Sequence, residues 1–190
     1  MLPPGHTAGG YLVAKAVTKF LPYQFTREQL RKLYWLGMFM GFVPDLDMFY
    51  AFYKSGSFTI DRLTTDHRTY LTHTPLPWLV LGLLIFTSAK SKYAKAVGII
   101  IWLGAWSHLV LDSLEHGVRW LWPLTDKLYA IKPTVHSLID IQTSDFFPYW
   151  IHFVSWYLSH SITFYFEIII ITAAITIAIK SKDFTWQNNK

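Results

Sequence analysis

Long uncharged stretches broken by short polar or basic segments lay out this chain. Tyr70 to Ala89 carries no formal charge, Lys90-Ser91-Lys92-Tyr93-Ala94-Lys95 is basic, and Ala96 to Leu111 is uncharged again. That alternation predicts two apolar helices joined by a tight basic turn. From Phe146 to Ile179 the one formal charge is Glu167, and the stretch exceeds the roughly 20 residues that a membrane span needs. It predicts an interfacial helix rich in Trp and Tyr, followed by a spanning helix from about Ile162 to Ile179.

The first third of the chain is more mixed. Tyr11 to Val17 has a short helical pattern with small residues on one side, ending before Pro22. Thr26 followed by Gln29 is a capping-box signature, and the helix it opens turns apolar from Leu33 to Val43. Pro44 is expected to close that helix, so that Asp45-Leu46-Asp47 emerges where it stops. Lys54 to Asp66 reads as a polar connection, Asp112 to Lys132 as an amphipathic loop at a membrane surface, and Pro133 to Asp145 as a polar link. Together these elements predict an all-α, polytopic membrane bundle. Residues 1–180 form one domain in this reading, and 181–190 a frayed polar tail.

Composition agrees with a lipid setting. Hydrophobic residues are 52% of the 190 and charged ones 15%, while nine Trp and eleven Tyr suit interfacial belts. No cysteine is present, so thiolate ligands, disulfides and a Cys nucleophile are excluded. The net charge of +5 favours anionic lipid headgroups, and the scattered basic residues make no stripe for nucleic acid. Met1 to Pro22 lacks the layout of a secretory signal, because Lys15 and Lys19 interrupt its apolar part. Multi-pass insertion in the inner (cytoplasmic) membrane is expected, with self-association open. Lys90, Lys92, Lys95, Lys180 and Lys182 predict cytoplasmic ends. Arg27, Arg31, Lys32, Lys54, Arg62 and Arg68, expected on the other side, weaken that assignment.

His and Asp residues supply the candidate chemistry. With a rise of about 1.5 Å per residue, His73 lies about nineteen residues before the centre of the basic turn and His108 about sixteen after it, so the two meet at one end of the hairpin. Donors on facing helices at one depth are what a metal site in a bundle requires. His108, Asp112 and His116 fall at i, i+4 and i+8 on one helical face, and ionisable groups within apolar segments are costly. His67 and His73 support one another as ligands, although either also suits an interfacial position. Arg68 fits a phosphate clamp or a salt bridge to Asp61 or Asp66. Asp45 and Asp47 point to opposite sides if extended, so one is expected at the metal and the other orienting a His or activating water. Glu167 is a further candidate by its cost, with a tyrosine hydroxyl or a Lys as its bland partner. His136, His152 and His160 are assigned to packing or interfaces, and His6 alone is a weak signal.

In chain order, His6-x-x-x-Gly10, Val43-Pro44-Asp45-Leu46-Asp47, His67-Arg68 with Thr72-His73-Thr74, Ser107-His108-x-x-x-Asp112, and Gly117 with Trp122-Pro123-Leu124 resemble the YdjM-like, membrane-bound metal-dependent hydrolases. That family is similar in ligand pattern to zinc-dependent phospholipase C and the single-strand-specific zinc nucleases. The resemblance implies a helical fold and metal ligands at His6, Asp45, His67, His108 and Asp112. It places His73 and Asp47 at the metal or just behind it. The secreted enzymes also use a processed N-terminal amine and a further His with a His-x-x-x-Glu pair, which are not evident here, so one or two ions are expected rather than three.

The expectation is therefore a membrane hydrolase of phosphoesters on a lipid or other amphiphile, with zinc, or else Mn or Fe, at its centre. Asp47, Arg68 and His73 would assist catalysis. The alternative is a non-catalytic membrane protein whose metal staples helices or regulates a partner. A transporter is disfavoured because the cluster lies at a membrane face and few full spans are visible.

Overall fold

The structure, a computed structural model, describes residues 1–56, 68–132 and 146–185. The described residues form helices α1 (Pro3–Phe20), α2 (Arg27–Phe42), α3 (Asp47–Ser55), α4 (Pro75–Ser88), α5 (Lys92–Asp112), α6 (Phe146–His160) and α7 (Ile162–Ser181). Short 3₁₀ turns at Val43–Leu46 and Leu71–His73 lead into α3 and α4. Among the described residues there is no strand, only an isolated bridge between Val118 and Tyr129.

Local chemistry explains most boundaries. α1 begins at Pro3, well before the expected Tyr11, because Pro3 and Pro4 occupy its first positions, where proline's fixed φ suits a helix and its missing N–H costs nothing. His6 is thereby helical. The capping box at α2 forms as expected, with Gln29 N–H donating to Thr26 Oγ1 at 3.2 Å and Thr26 N–H to Gln29 Oε1 at 3.0 Å. Pro44 does not end helical structure, contrary to expectation. It sits in the first turn of the Val43–Leu46 segment, the chain continues into α3, and Gly56 closes that helix at φ 65°.

The bundle is held by close backbone approach. α1 and α2 touch through Gly10, Gly37 and Gly41: a Cβ on Gly10 would lie 2.0 Å from the Gly37 carbonyl oxygen, and one on Gly41 2.3 Å from that of His6. Small residues at such crossings let helices pack where lipid supplies no hydrophobic drive between them. Gly82 and Gly98 serve the α4–α5 hairpin in the same way. α5 also packs on α1 and α2, α7 lies along α1, and Ala14, Leu33, Ala96 and Ile100 are fully buried between them.

Two buried glutamates tie down helix starts. Glu115 accepts from Ile162 N–H and Ser161 Oγ, both at 2.7 Å, at the start of α7. Glu167 accepts from Gly5 N–H at 2.9 Å, at the start of α1, and from the Tyr157 hydroxyl. Its partners are thus the tyrosine of the bland reading and a helix terminus. The C-terminal segment is docked rather than frayed as far as it is described. Asp183 binds Lys15 Nζ at 2.7 Å and the Tyr11 hydroxyl at 2.5 Å, and Phe184 packs edge-on to Trp35.

Two helices, α5 and α7, are long and apolar enough to cross a membrane, and α4 is apolar but shorter. Leu84, Ile169 and Ile179 are among the large apolar side chains exposed on α4 and α7. Lys92 Nζ lies 5.8 Å from the centre of the Tyr23 ring, which puts the α1–α2 turn at the N-terminal end of α5. Arg27, Arg31 and Lys32, in the first turns of α2, therefore share an end with Lys90, Lys92 and Lys95, which corrects their expected placement opposite. Arg62 lies outside the described residues.

Gly37→Ala tests the crossing. Its Cβ would meet Ala14 Cβ and the Gly10 carbonyl oxygen, each at 2.5 Å. We expect a loss of about 1–3 kcal/mol, read as a lower thermal midpoint in detergent. An unchanged midpoint would mean that the helices separate without cost.

Candidate metal centre

Four elements bring their polar residues to one end of the bundle. α1 contributes His6, the 3₁₀ turn after α2 contributes Asp45, the turn before α4 contributes His73, and the last turn of α5 contributes His108 and Asp112. The three imidazoles are 0% exposed, Asp112 1% and Asp45 8%.

The outer nitrogen of two of these rings is already committed. His73 Nδ1 lies 2.8 Å from Asp47 Oδ2, and His108 Nδ1 lies 2.9 Å from the Gly41 carbonyl oxygen. Both partners only accept, so each Nδ1 carries the proton and, in the neutral ring, each Nε2 turns a lone pair inward. The Nε2 atoms are 3.3 Å apart. Asp45 Oδ1 lies 3.5 Å from His108 Nε2 and 3.7 Å from His73 Nε2, and Asp112 Oδ2 lies 3.6 and 3.9 Å from the same two atoms. A tetrahedral site with bonds of about 2.0–2.1 Å has donor separations of about 3.4 Å, and the His73, His108 and Asp45 donors, 3.3, 3.5 and 3.7 Å from one another, stand close to that spacing.

His6 supplies the second observation. Its ring stacks on His108 with centroids 3.7 Å apart, and Nε2 is 3.2 Å from Asp112 Oδ1 without hydrogen-bond geometry. Neither ring nitrogen has a hydrogen-bond partner among the described residues, although both are buried. A buried imidazole left unsatisfied is costly, and a cation shared with Asp112 would satisfy it. The donors thus form two groups, His6-His108-Asp112 and Asp45-His73-His108, each with its ligand atoms within 4.8 Å of one another. His108 has one inward lone pair and can serve one ion at a time. Asp112 has two oxygens facing different neighbours, so it is the group suited to bridging two ions.

Positive groups surround Asp112. The Met1 amine lies 3.4 Å from Oδ1 and Arg68 Nε 3.4 Å from Oδ2. Burial pulls the His73 imidazole down, but Asp45 and Asp47 outweigh it and raise the group to about 9. Burial also pushes Asp45 up, yet His108 and His73 hold it below the usual carboxylate range. A proton on His73 balances the carboxylates, and a divalent cation held here would compete for that position.

Asp45 and Asp47 do not point to opposite sides, because the backbone between them is helical rather than extended. They approach His73 from its two ring nitrogens. Asp47 also accepts from the Thr72 hydroxyl. α5 ends at Asp112, so His116 leaves the expected helical face and lies outside both donor groups. His152 and His160 are exposed on α6, His160 stacking on Trp156. His67 and His136 lie outside the described residues. Two supports escaped the sequence reading: the Gly41 carbonyl, and buried Arg119, which binds Asp126 at 3.0 Å and the Thr69 carbonyl beside Arg68. A backbone oxygen leaves no mark in sequence, whereas an Arg within the apolar run Val118 to Leu124 is a usable signal.

An all-helical membrane protein with a buried His/Asp cluster at one end of its bundle is the class these features define. The sequence model of the YdjM inner membrane protein family matches residues 1–185, and the chain belongs to that family. No curated protein and no solved structure is significantly similar to it.

Asp47→Asn keeps the shape but removes the charge that orients His73. A divalent cation held by the cluster should then be bound roughly 10–100-fold more weakly, measured with added zinc as the probe by chelator competition on detergent-purified protein. Unchanged affinity would remove Asp47 from the support of the site.

Proposed function

We propose that this protein is a membrane-bound, metal-dependent hydrolase that cleaves phosphoesters on a lipid or another amphiphile. The observation that carries the reading is the inward convergence of His73, His108 and Asp45 at near-tetrahedral spacing, with Asp112 Oδ2 3.6 and 3.9 Å from the two imidazoles and both Nδ1 atoms already committed. Nitrogen and oxygen donors without sulfur suit zinc, and also Mn or Fe. A second ion would be held by His6 and the other oxygen of Asp112. Such an ion, when bound, makes water acidic near neutral pH and draws charge from phosphoryl oxygens.

The chain's own groups supply the rest. Arg68, buried beside Asp112, offers planar donors to a phosphate oxygen. Asp47, 2.8 Å from Nδ1, keeps the His73 ring in place. The basic residues gathered at the opposite end of the bundle favour a multi-pass arrangement with that end in the cytoplasm, which turns the site outward. A lipid headgroup in the outer leaflet would meet it laterally.

A structural or regulatory metal is the second reading: Asp112 beside Asp45, His73 and His108 would supply the fourth protein ligand that closes a structural site, whereas a catalytic site keeps one position open. Elemental mass spectrometry of the detergent-purified protein, with phospholipid and phosphodiester turnover, separates the two. Stoichiometric metal is expected in the wild type and absent from His108→Ala and Asp112→Ala, and Arg68→Ala should slow turnover roughly 100-fold. Bound metal without turnover would favour the structural reading. A folded wild type that takes up no metal would sink both.

A further inference from the structure

An apolar groove of about 690 Å³ runs between α1 and α5, lined by Gly9, Val13, Ala16, Leu103, Trp106 and Val110 among others. Its wall on α1 continues the stripe that begins at the site, since Gly9, Val13 and Ala16 follow His6 at i+3, i+7 and i+10. On α5 its upper end is Ser107 and Leu111, each one residue before a donor, His108 and Asp112. The lower end is Phe20 and Ile99.

From Gly9 to Phe20 the helical rise covers about 16 Å, close to half of a hydrocarbon core that is about 30 Å thick. The groove therefore has the length of one leaflet and starts at the depth of the His/Asp cluster. Side chains along it leave it open: Val110 is 52% exposed and Phe20 81%. A Cβ on Gly9 would lie 2.9 Å from Leu111 Cδ1, so a larger residue there would crowd the end beside the site.

We propose that this groove holds one acyl chain of a phospholipid whose phosphate sits at the His/Asp cluster, and that the substrate is drawn from the leaflet on the site's face. This rests on the hydrolase reading for the fate of the phosphate, while the seating of the chain is a separate, measurable claim. An inner membrane setting supplies the occupant, and the match of groove length to leaflet depth, with its upper end at the residues next to His108 and Asp112 in sequence, favours an acyl chain over a protein helix. The site thus receives a headgroup whose tail is aligned before the phosphate arrives.

The test uses the full chain in phosphatidylethanolamine–phosphatidylglycerol vesicles doped with a phosphatidylglycerol that carries a diazirine within one acyl chain. After illumination, labelled residues are mapped by mass spectrometry. Label should concentrate on residues 9–20 and 99–111 relative to the exposed Leu83 and Leu84 of α4. Ala16→Trp and Val110→Trp, which fill the groove from opposite walls, should each lower it about tenfold, with metal content as the check on folding. Uniform label along all exposed helices, or label undiminished in whichever Trp variant folds, overturns the groove. Focused label without phospholipid turnover would keep the groove and sink the hydrolase reading, and turnover without focused label would do the reverse.

Discussion

The contact between α1 and α2 at Gly10, Gly37 and Gly41 sets the geometry of everything around the cluster. It brings the His6 backbone against Gly41, and the Gly41 carbonyl in turn holds His108 on a third helix. One residue without a side chain thus positions two imidazoles from different helices. Were α1 to stand off by the width of a methyl group, the stacking of His6 on His108 and the reach of His108 to Gly41 would not both survive.

That closeness concentrates charge where water is scarce. Asp45, Asp47 and Asp112 lie within one buried cluster, and isolated carboxylates there would be prohibitively costly. The chain meets this with Arg68, the Met1 amine and a raised His73, each in contact with a carboxylate. Ion pairs of this sort are weak evidence for stability, because desolvation offsets much of their attraction. Protons and fixed cations are compatible with a folded state that also accommodates a divalent ion.

Much of this was legible in the chain. Uncharged runs of similar length on either side of a basic turn fix the relative depth of His73 and His108, because helical rise is constant, and their nitrogens do meet. Thr26 with Gln29 is a local signal and needed nothing else. Pro44 misled because proline ends a helix from within yet starts a turn equally well, and that choice decided where Asp45 and Asp47 point. The ends of the bundle were misassigned for Arg27 and Lys32 because the direction of α2 depends on a glycine contact between distant residues. Glu115 lies just past an apolar helix, and its partners Ser161 and Ile162 come from a helix start far along the chain, so its burial leaves no local mark.

The two buried glutamates join the last helix to the first. Glu115, three residues beyond Asp112, grips the start of α7, and Glu167, within α7, grips the start of α1 one residue from His6. No donor of the cluster lies on α7, yet α7 secures the chain near both. Because the ribosome makes α7 last, a growing chain can bring His6, His73, His108 and their carboxylates into the membrane long before their surroundings are complete. A product truncated before α7 would hold every donor in its sequence but lack the clasp that fixes the start of α1.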